Sequence, residues 1–382
     1  MRKLSKSFVI WAGGALALAA SACAVDAPAL SGVLYAYFLY DLTSQEEGEP
    51  KGGNEFGLSR CYVTAKGSVH EKVSYQVTGD VGRDKYTYYT YELVQDPQTG
   101  TYKLVETPYT KTGKLGFFLK YAFFDVSGVV PKHHIHAGMI KPPFAVYEHS
   151  YWGWRVIRKG AFLDRRYGAT ADLGLGLYGG FADGLVQHNL ALMNGGSFGK
   201  AEDPYSGKDV EYRLSAFPLR GNDDWRGLSV NGIAKVQNLG EKVPPGADKN
   251  PVAIYGGFLG LKHKFANVGA GYYARSAGEG DEKYHGDLIT AFATVHLRAT
   301  EGMTVHPLAR YDMYEPNADV RDDDRTVFIG GVGLKFFDGK LALIPNYQTE
   351  TYKEVIESEG QPRRTEDKSI DYVYLHCQFN WE

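Results

Sequence analysis

Apolar and polar residues alternate with a period of two through almost the whole of this 382-residue chain, punctuated by turn residues. Over 71–80, Val73, Tyr75, Val77 and Gly79 alternate with Lys72, Ser74, Gln76, Thr78 and Asp80. Over 169–178, Ala169, Ala171, Leu173, Leu175 and Leu177 alternate with Thr170, Asp172, Gly174, Gly176 and Tyr178. A water-soluble sandwich makes a few such strands, but usually also buries one that is apolar on both faces, which this sequence lacks. Glycine, tyrosine and phenylalanine, at 46, 28 and 19 residues, favour short strands over long helices. Three cysteines exclude a disulfide scaffold.

Read with this template, the chain has sixteen strands, near 31–42, 54–66, 71–84, 114–125, 134–141, 168–178, 185–194, 209–219, 227–238, 252–265, 268–276, 287–299, 303–314, 326–337, 341–352 and 370–382. An even number of strands of roughly 10 residues is what a closed transmembrane antiparallel β-barrel requires, because each strand must cross the hydrocarbon and no edge can stay unpaired. The connections alternate in the same sense. Those at 67–70, 179–184, 265–267, 300–302 and 338–340 are tight periplasmic turns. Those at 44–53, 85–113, 200–208, 240–251, 315–325 and 353–369 are long, hydrophilic extracellular loops, and the second has a hairpin signal of its own at 96–100.

The first 24 residues read as a removable signal peptide: Arg2, Lys3 and Lys6 precede an apolar stretch over 8–20 and a small-residue cleavage site at Ala22-Cys23-Ala24. A lipidated Cys23 is disfavoured, since Ala20 stands where such a signal usually has leucine. Residues 25–382 are then one barrel domain, and no run in them reaches the roughly 18 apolar residues of a helical span. Cys61 and Cys377 fall on lipid-facing positions, too far apart to expect a bridge. In the last strand, Val373, Leu375, Cys377, Phe379 and Trp381 alternate with polar residues, like the C-terminal signal read by barrel-assembly machinery, although Glu382 follows the final aromatic.

If the apolar faces meet lipid, the alternate residues line the lumen. The basic wall candidates are Arg60, Lys72, Lys120, Arg213, Lys235, Lys262, Lys264, Arg275, Arg298, Arg310 and Lys335, against the acids Asp80, Asp172, Glu211, Asp312 and Asp371. This excess of cations, in a chain of net charge −3, favours anions in a confined passage. Loop three, over 142–167, carries Arg155, Arg158, Lys159, Arg165 and Arg166, with Glu148 and Asp164 opposing them, among aromatic and aliphatic residues that have to pack against something. The sharp reading folds it into the lumen as a constriction; the competing one makes it a protomer contact whose arginines meet lipopolysaccharide phosphates.

The segment Gly138-Met139-Ile140-Lys141-Pro142-Pro143-Phe144 with Glu148, then Arg165-Arg166 and Gly179-Gly180, resembles the phosphate-selective porin O/P family. Phe56-Gly57-Leu58-Ser59-Arg60, Arg310-Tyr311-Asp312 with Pro316-Asn317, and Pro345-Asn346-Tyr347-Gln348 extend the resemblance. It implies a trimeric, sixteen-stranded porin in a Gram-negative outer membrane, embedded in lipid and lipopolysaccharide, whose third loop narrows the pore and whose basic residues conduct small anionic solutes. Arg60 and the loop-three cations stand where the constriction would be.

Other classes find less support. No paired catalytic spacing supports an outer-membrane hydrolase. No nucleotide, zinc or calcium motif occurs, so neither a cofactor nor a nucleic-acid partner is expected. His133, His134 and His136 could bring two metal ligands to one strand face, but no third converges. The stronger rival is a channel for neutral solutes such as sugars, with Tyr62, Tyr178 and Phe292 as an aromatic track.

Overall fold

The computed structural model describes residues 27–43, 53–95, 102–198, 207–239, 252–277, 284–320, 322–356 and 364–381. The leader expected over 1–24, most of the loops expected at 44–53, 200–208 and 240–251, and residues 357–363 of the loop expected at 353–369 lie outside the described residues; the rest of that last loop belongs to the two final strands, which run longer than expected.

The strands are β1 (Ala29–Asp41), β2 (Asn54–His70), β3 (Val73–Gln95), β4 (Tyr102–Ser127), β5 (His133–Ile140) and β6 (Asp172–Phe181). They continue as β7 (Val186–Met193), β8 (Lys208–Ala216), β9 (Ser229–Leu239), β10 (Val252–Lys262), β11 (Ala266–Ala277) and β12 (Tyr284–Val295). The last are β13 (Leu297–Thr300), β14 (Met303–Glu315), β15 (Arg325–Phe336), β16 (Leu341–Ile356) and β17 (Arg364–Trp381). Every pairing is antiparallel between neighbours, and β1 pairs with both β2 and β17, which closes the sheet. β12 and β13 both pair with β14 and are two halves of one stave, interrupted at His296. The seventeen segments thus make sixteen staves, the expected number.

Polarity is inverted relative to a soluble barrel. On β8, Asp209, Glu211, Arg213 and Ser215 are buried while the alternate Leu214 is exposed. On β12, Leu288, Thr290, Phe292 and Thr294 are buried and Ile289 and Val295 exposed. Buried side chains point into the barrel and exposed ones outward, so an apolar band faces hydrocarbon, while closure satisfies the backbone groups that lipid cannot. This is an outer-membrane architecture. Cys61 and Cys377 both sit on the outward face, opposite Leu34 and Ala36 on either side of β1, and both are free.

Boundaries move where loop packing overrides the pattern. β2 runs on to His70, so the first turn is Glu71-Lys72. β6 begins at Asp172 rather than 168, because Thr170 and Ala171 are buried as the tail of loop three. Loop two is a hairpin, as its turn signal implied: β3 and β4 stay paired out to Gln95 and Tyr102. Lower on the same hairpin, the register slips where Thr78 opposes Tyr121 and Gly79 opposes Leu119. That bulge makes Lys120 the extra residue and turns both Lys120 and Tyr121 inward.

Candidate pore constriction

Loop three leaves β5 and forms two short helices, α1 (Ala145–Trp152) and α2 (Ala161–Asp164). α1 stops at Gly153, whose φ of 75° is the left-handed turn-off that glycine adopts without penalty. The helices are tied to each other: Glu148 accepts from the Phe162 amide at 3.3 Å, and the Gly160 amide donates to His149 Nδ1 at 3.2 Å. Burial holds the His149 imidazole well below its usual pKa, in keeping with a ring nitrogen that accepts. Trp152 Nε1 donates to the Arg158 carbonyl at 3.0 Å, closing the intervening turn.

This unit packs against inward-facing side chains. The Phe144 amide donates to Glu211 on β8 at 2.8 Å, Tyr151 pairs with Ser229 on β9 at 2.9 Å, and Tyr273 on β11 donates to Glu148 at 3.2 Å. Trp154 donates to Thr294 on β12 at 3.0 Å, and Arg310 on β14 donates to the Lys159 carbonyl. Phe144 stacks edge-on against Phe258 and Tyr273, and Trp152 against Phe292. The alternative for these rings is lumen water, so burying each of Phe144, Trp152 and Phe162 stabilises docking by roughly 1.5–3 kcal/mol. Gly333 on β15 leaves the room: a Cβ there would lie 2.2 Å from the Trp154 ring.

The six residues expected at the constriction divide into two groups. Arg60, Arg155, Lys159 and Arg166 border one cavity of about 200 Å³ beside Thr170, Ser197 and Phe198, with no carboxylate among its described lining residues. Arg155 Nε donates to the Tyr62 hydroxyl at 3.1 Å, and Lys120 Nζ lies 4.0 Å from the centre of the same ring. Arg166 has a φ of 61°, unusual for a residue with a Cβ, just before the buried Tyr167. Arg158 and Arg165 lie elsewhere: both bond Glu350 on β16, at 2.8 and 2.9 Å, and Arg158 also bonds Asp164 at 2.7 Å.

The wall candidates need correction. Lys72 is exposed in the first turn, Lys264 is exposed in another and pairs with Asp224, and Arg298 is exposed on β13. Three inward cations are paired: Arg60 with Asp80 at 2.9 Å, Arg310 with Asp312 at 2.6 Å, and Lys235 with Asp209 at 3.2 Å. Arg213 stacks 3.7 Å from the Tyr147 ring centre, Lys335 lies over Trp154, Lys262 lies over Tyr151 and donates to Ser150, and Arg275 is half-buried on the inward face of β11. Asp371 turns outward to Tyr347, whereas Asp209 and Glu350, which the sequence reading omitted, face in. Ion pairs thus neutralise some of these cations, Arg60 among them, but not Arg213, Lys262, Arg275 or Lys335 among the described residues, so the cationic excess is not confined to the cavity beside Arg155. His134 and His136 share Asp125, and no metal-holding cluster occurs among the described residues.

Solved structures show the same architecture. OmpT of Vibrio cholerae is 11% identical, covers 93% of this chain and 97% of its own, and superposes with a TM-score of 0.57. The fold is that of the outer-membrane porins. The anion-selective porin from Comamonas acidovorans, at 10% identity, covers 93% of this chain and 99% of its own with a TM-score of 0.57. The channel DcaP of Acinetobacter baumannii gives 10%, 93%, 97% and 0.55. At such identities the porin likeness is one of fold. No protein-family model matches the chain, and no curated protein does.

Proposed function

We propose that this protein is a passive-diffusion porin for small hydrophilic solutes, with an anion preference set where Arg60, Arg155, Lys159 and Arg166 border the passage beside loop three. The observation that carries the reading is that cavity's basic lining, without a carboxylate among its described residues; Arg60 there is paired with Asp80, so the preference falls to Arg155, Lys159 and Arg166. An anion entering a narrow passage loses hydration, and guanidinium groups replace it with short, charge-assisted hydrogen bonds. Fixed cations also raise the local anion concentration before entry. Arg158 and Arg165, neutralised by Glu350 and Asp164, serve in this reading as struts that fix loop three. No catalytic step is assigned.

The finer proposal is that phosphate is among the favoured solutes. It rests on the resemblance of the 138–144 and 165–166 motifs to phosphate-selective porins and on the match between guanidinium and oxyanion geometry. A homotrimer seated in lipid and lipopolysaccharide is proposed with it; the trimer form of the similar OmpT supports the assembly. Recognition by barrel-assembly machinery through the alternating apolar residues ending at Trp381 belongs to the same reading. The test is the reversal potential of the purified protein in a planar bilayer under a KCl gradient. A chloride-favouring potential supports the proposal, and a potassium-favouring one overturns it.

A further inference from the structure

A second cavity, of about 390 Å³, lies between loop three and the β16–β17 wall, bordered by Arg158, Asp164, Gln348, Glu350, Tyr372 and Tyr374. That volume is within the range of small-molecule sites, roughly 300–1,000 Å³. None of its lining residues borders the basic cavity beside Arg155, so a ligand here is held by this cavity alone. One side of it is aromatic. On β17, Val373 and Leu375 are exposed outward, which turns Tyr372, Tyr374 and His376 into the barrel. The rings of Tyr372 and Tyr374 are half-buried, with centres 5.7 Å apart. His376 stacks 4.7 Å from Tyr374 and Tyr37 meets it edge-on at 5.8 Å, packing that fixes the tyrosine ring in place.

The other side is polar and equally fixed. Arg158 Nε donates to Asp164 at 2.7 Å and its Nη2 to Glu350 at 2.8 Å, which leaves Nη1 as a donor that the described residues do not use. Glu350 accepts on its other oxygen from Arg165 at 2.9 Å, and Gln348 donates to Asn346 at 3.0 Å, which leaves the Gln348 carbonyl oxygen to accept. Within these pairs two cations balance two carboxylates, so a charged ligand gains nothing from its charge. A neutral ligand has to replace the hydrogen bonds it makes to water and bury some of its carbon. Donors and acceptors around one cavity do the first, because a hydroxyl both donates and accepts, and bonds to ionised partners are the stronger kind. Tyrosine faces do the second.

We infer that this cavity binds a neutral pyranose sugar, with the C–H face of the ring on Tyr372 and Tyr374 and hydroxyls at its edge bonded to Arg158, Gln348 and Glu350. An open-chain polyol carries the same hydroxyls without a flat face to stack. The inference stands beside the anion reading and uses none of its residues.

The test measures how glucose and sorbitol interrupt KCl current through the full-length channel in a planar bilayer, with the reversal potential recorded on the same membrane. Glucose should half-block at a concentration about fivefold or more below that of sorbitol. Tyr372→Leu and Tyr374→Leu, which keep apolar volume and remove a ring, should each raise the half-blocking glucose concentration about fivefold and leave the reversal potential unchanged; Tyr374→Phe should retain glucose block. Neutralising Arg155, Lys159 and Arg166 together should leave glucose block in place. Absence of glucose block, sorbitol block as strong as glucose block, block unaltered in both leucine variants, or block lost with the three cations overturns the inference. A potassium-favouring wild type would remove the anion reading and leave this one standing wherever glucose block follows the tyrosines.

Discussion

Trp154 Nε1 donates to Thr294 Oγ1 at 3.0 Å, joining the turn after α1 to the inner wall of β12 across 140 positions of sequence. Because Gly333 leaves space beneath the indole, this contact fixes how far loop three reaches across the lumen. Trp154→Ala should weaken docking by about 3–5 kcal/mol, the usual cost of deleting a buried tryptophan. Gly333→Leu should displace the same ring. Both should raise single-channel conductance while leaving the heat-resistant migration of the folded barrel intact, since the strand pairings are untouched. Unchanged conductance in both would show that loop three does not limit flow.

Arg310 and Asp312 are fully buried partners on β14, and Arg310 also donates to the Lys159 carbonyl. Removing one member leaves the other charge unpaired, so Asp312→Asn should destabilise the barrel by roughly 3–5 kcal/mol. A double replacement of Arg310 and Asp312 by apolar residues of similar volume should restore much of that loss. Urea midpoints of the folded protein in detergent would check the pair.

Glu350 neutralises Arg158 and Arg165. Glu350→Gln should release Arg165 and leave Arg158 held by Asp164 alone, shift the reversal potential further towards chloride, and broaden current noise as loop three loses a strut. A shift towards potassium would contradict this charge assignment.

Burial pushes the Glu148 carboxyl up to about 7, against the opposing pull of the Arg310 guanidinium. A raised folded-state value means that the protonated, docked loop is favoured at low pH and that this stabilisation is lost as pH rises through about 7. Conductance and its noise should accordingly increase as pH rises from 4.5 to about 7 and level off above that, and Glu148→Gln should flatten the profile. A titration identical in the variant would place the transition elsewhere.

Period-two alternation carried most of the architecture, because an inverted barrel forces every stave to present one apolar and one polar face. It could not show the break at His296, which depends on local hydrogen bonding, nor the bulge that makes Lys120 an extra inward residue. Glu350 and Asp209 were legible as lumen acids, since each shares strand parity with a buried polar neighbour, Gln348 and Glu211 respectively. What alternation cannot give is pairing between loop and wall. That Arg158 meets Glu350 while Arg155 meets Tyr62 depends on how α1 and α2 seat against β10–β12, 100 residues or so away in sequence, and this separated the loop-three cations into those paired with Glu350 and those bordering the cavity beside Arg155.

The account turns on the cations beside Arg155, and the reversal potential under a KCl gradient tests it most directly when the wild type is compared with two variants. One carries Arg155→Gln, Lys159→Gln and Arg166→Gln. The other carries Arg158→Gln with Asp164→Asn, which leaves net charge unchanged. The account predicts a chloride-favouring wild type, loss of that preference in the triple variant, and its retention in the charge-neutral one. Chloride preference that survives in the triple variant, or disappears in the charge-neutral one, would contradict it.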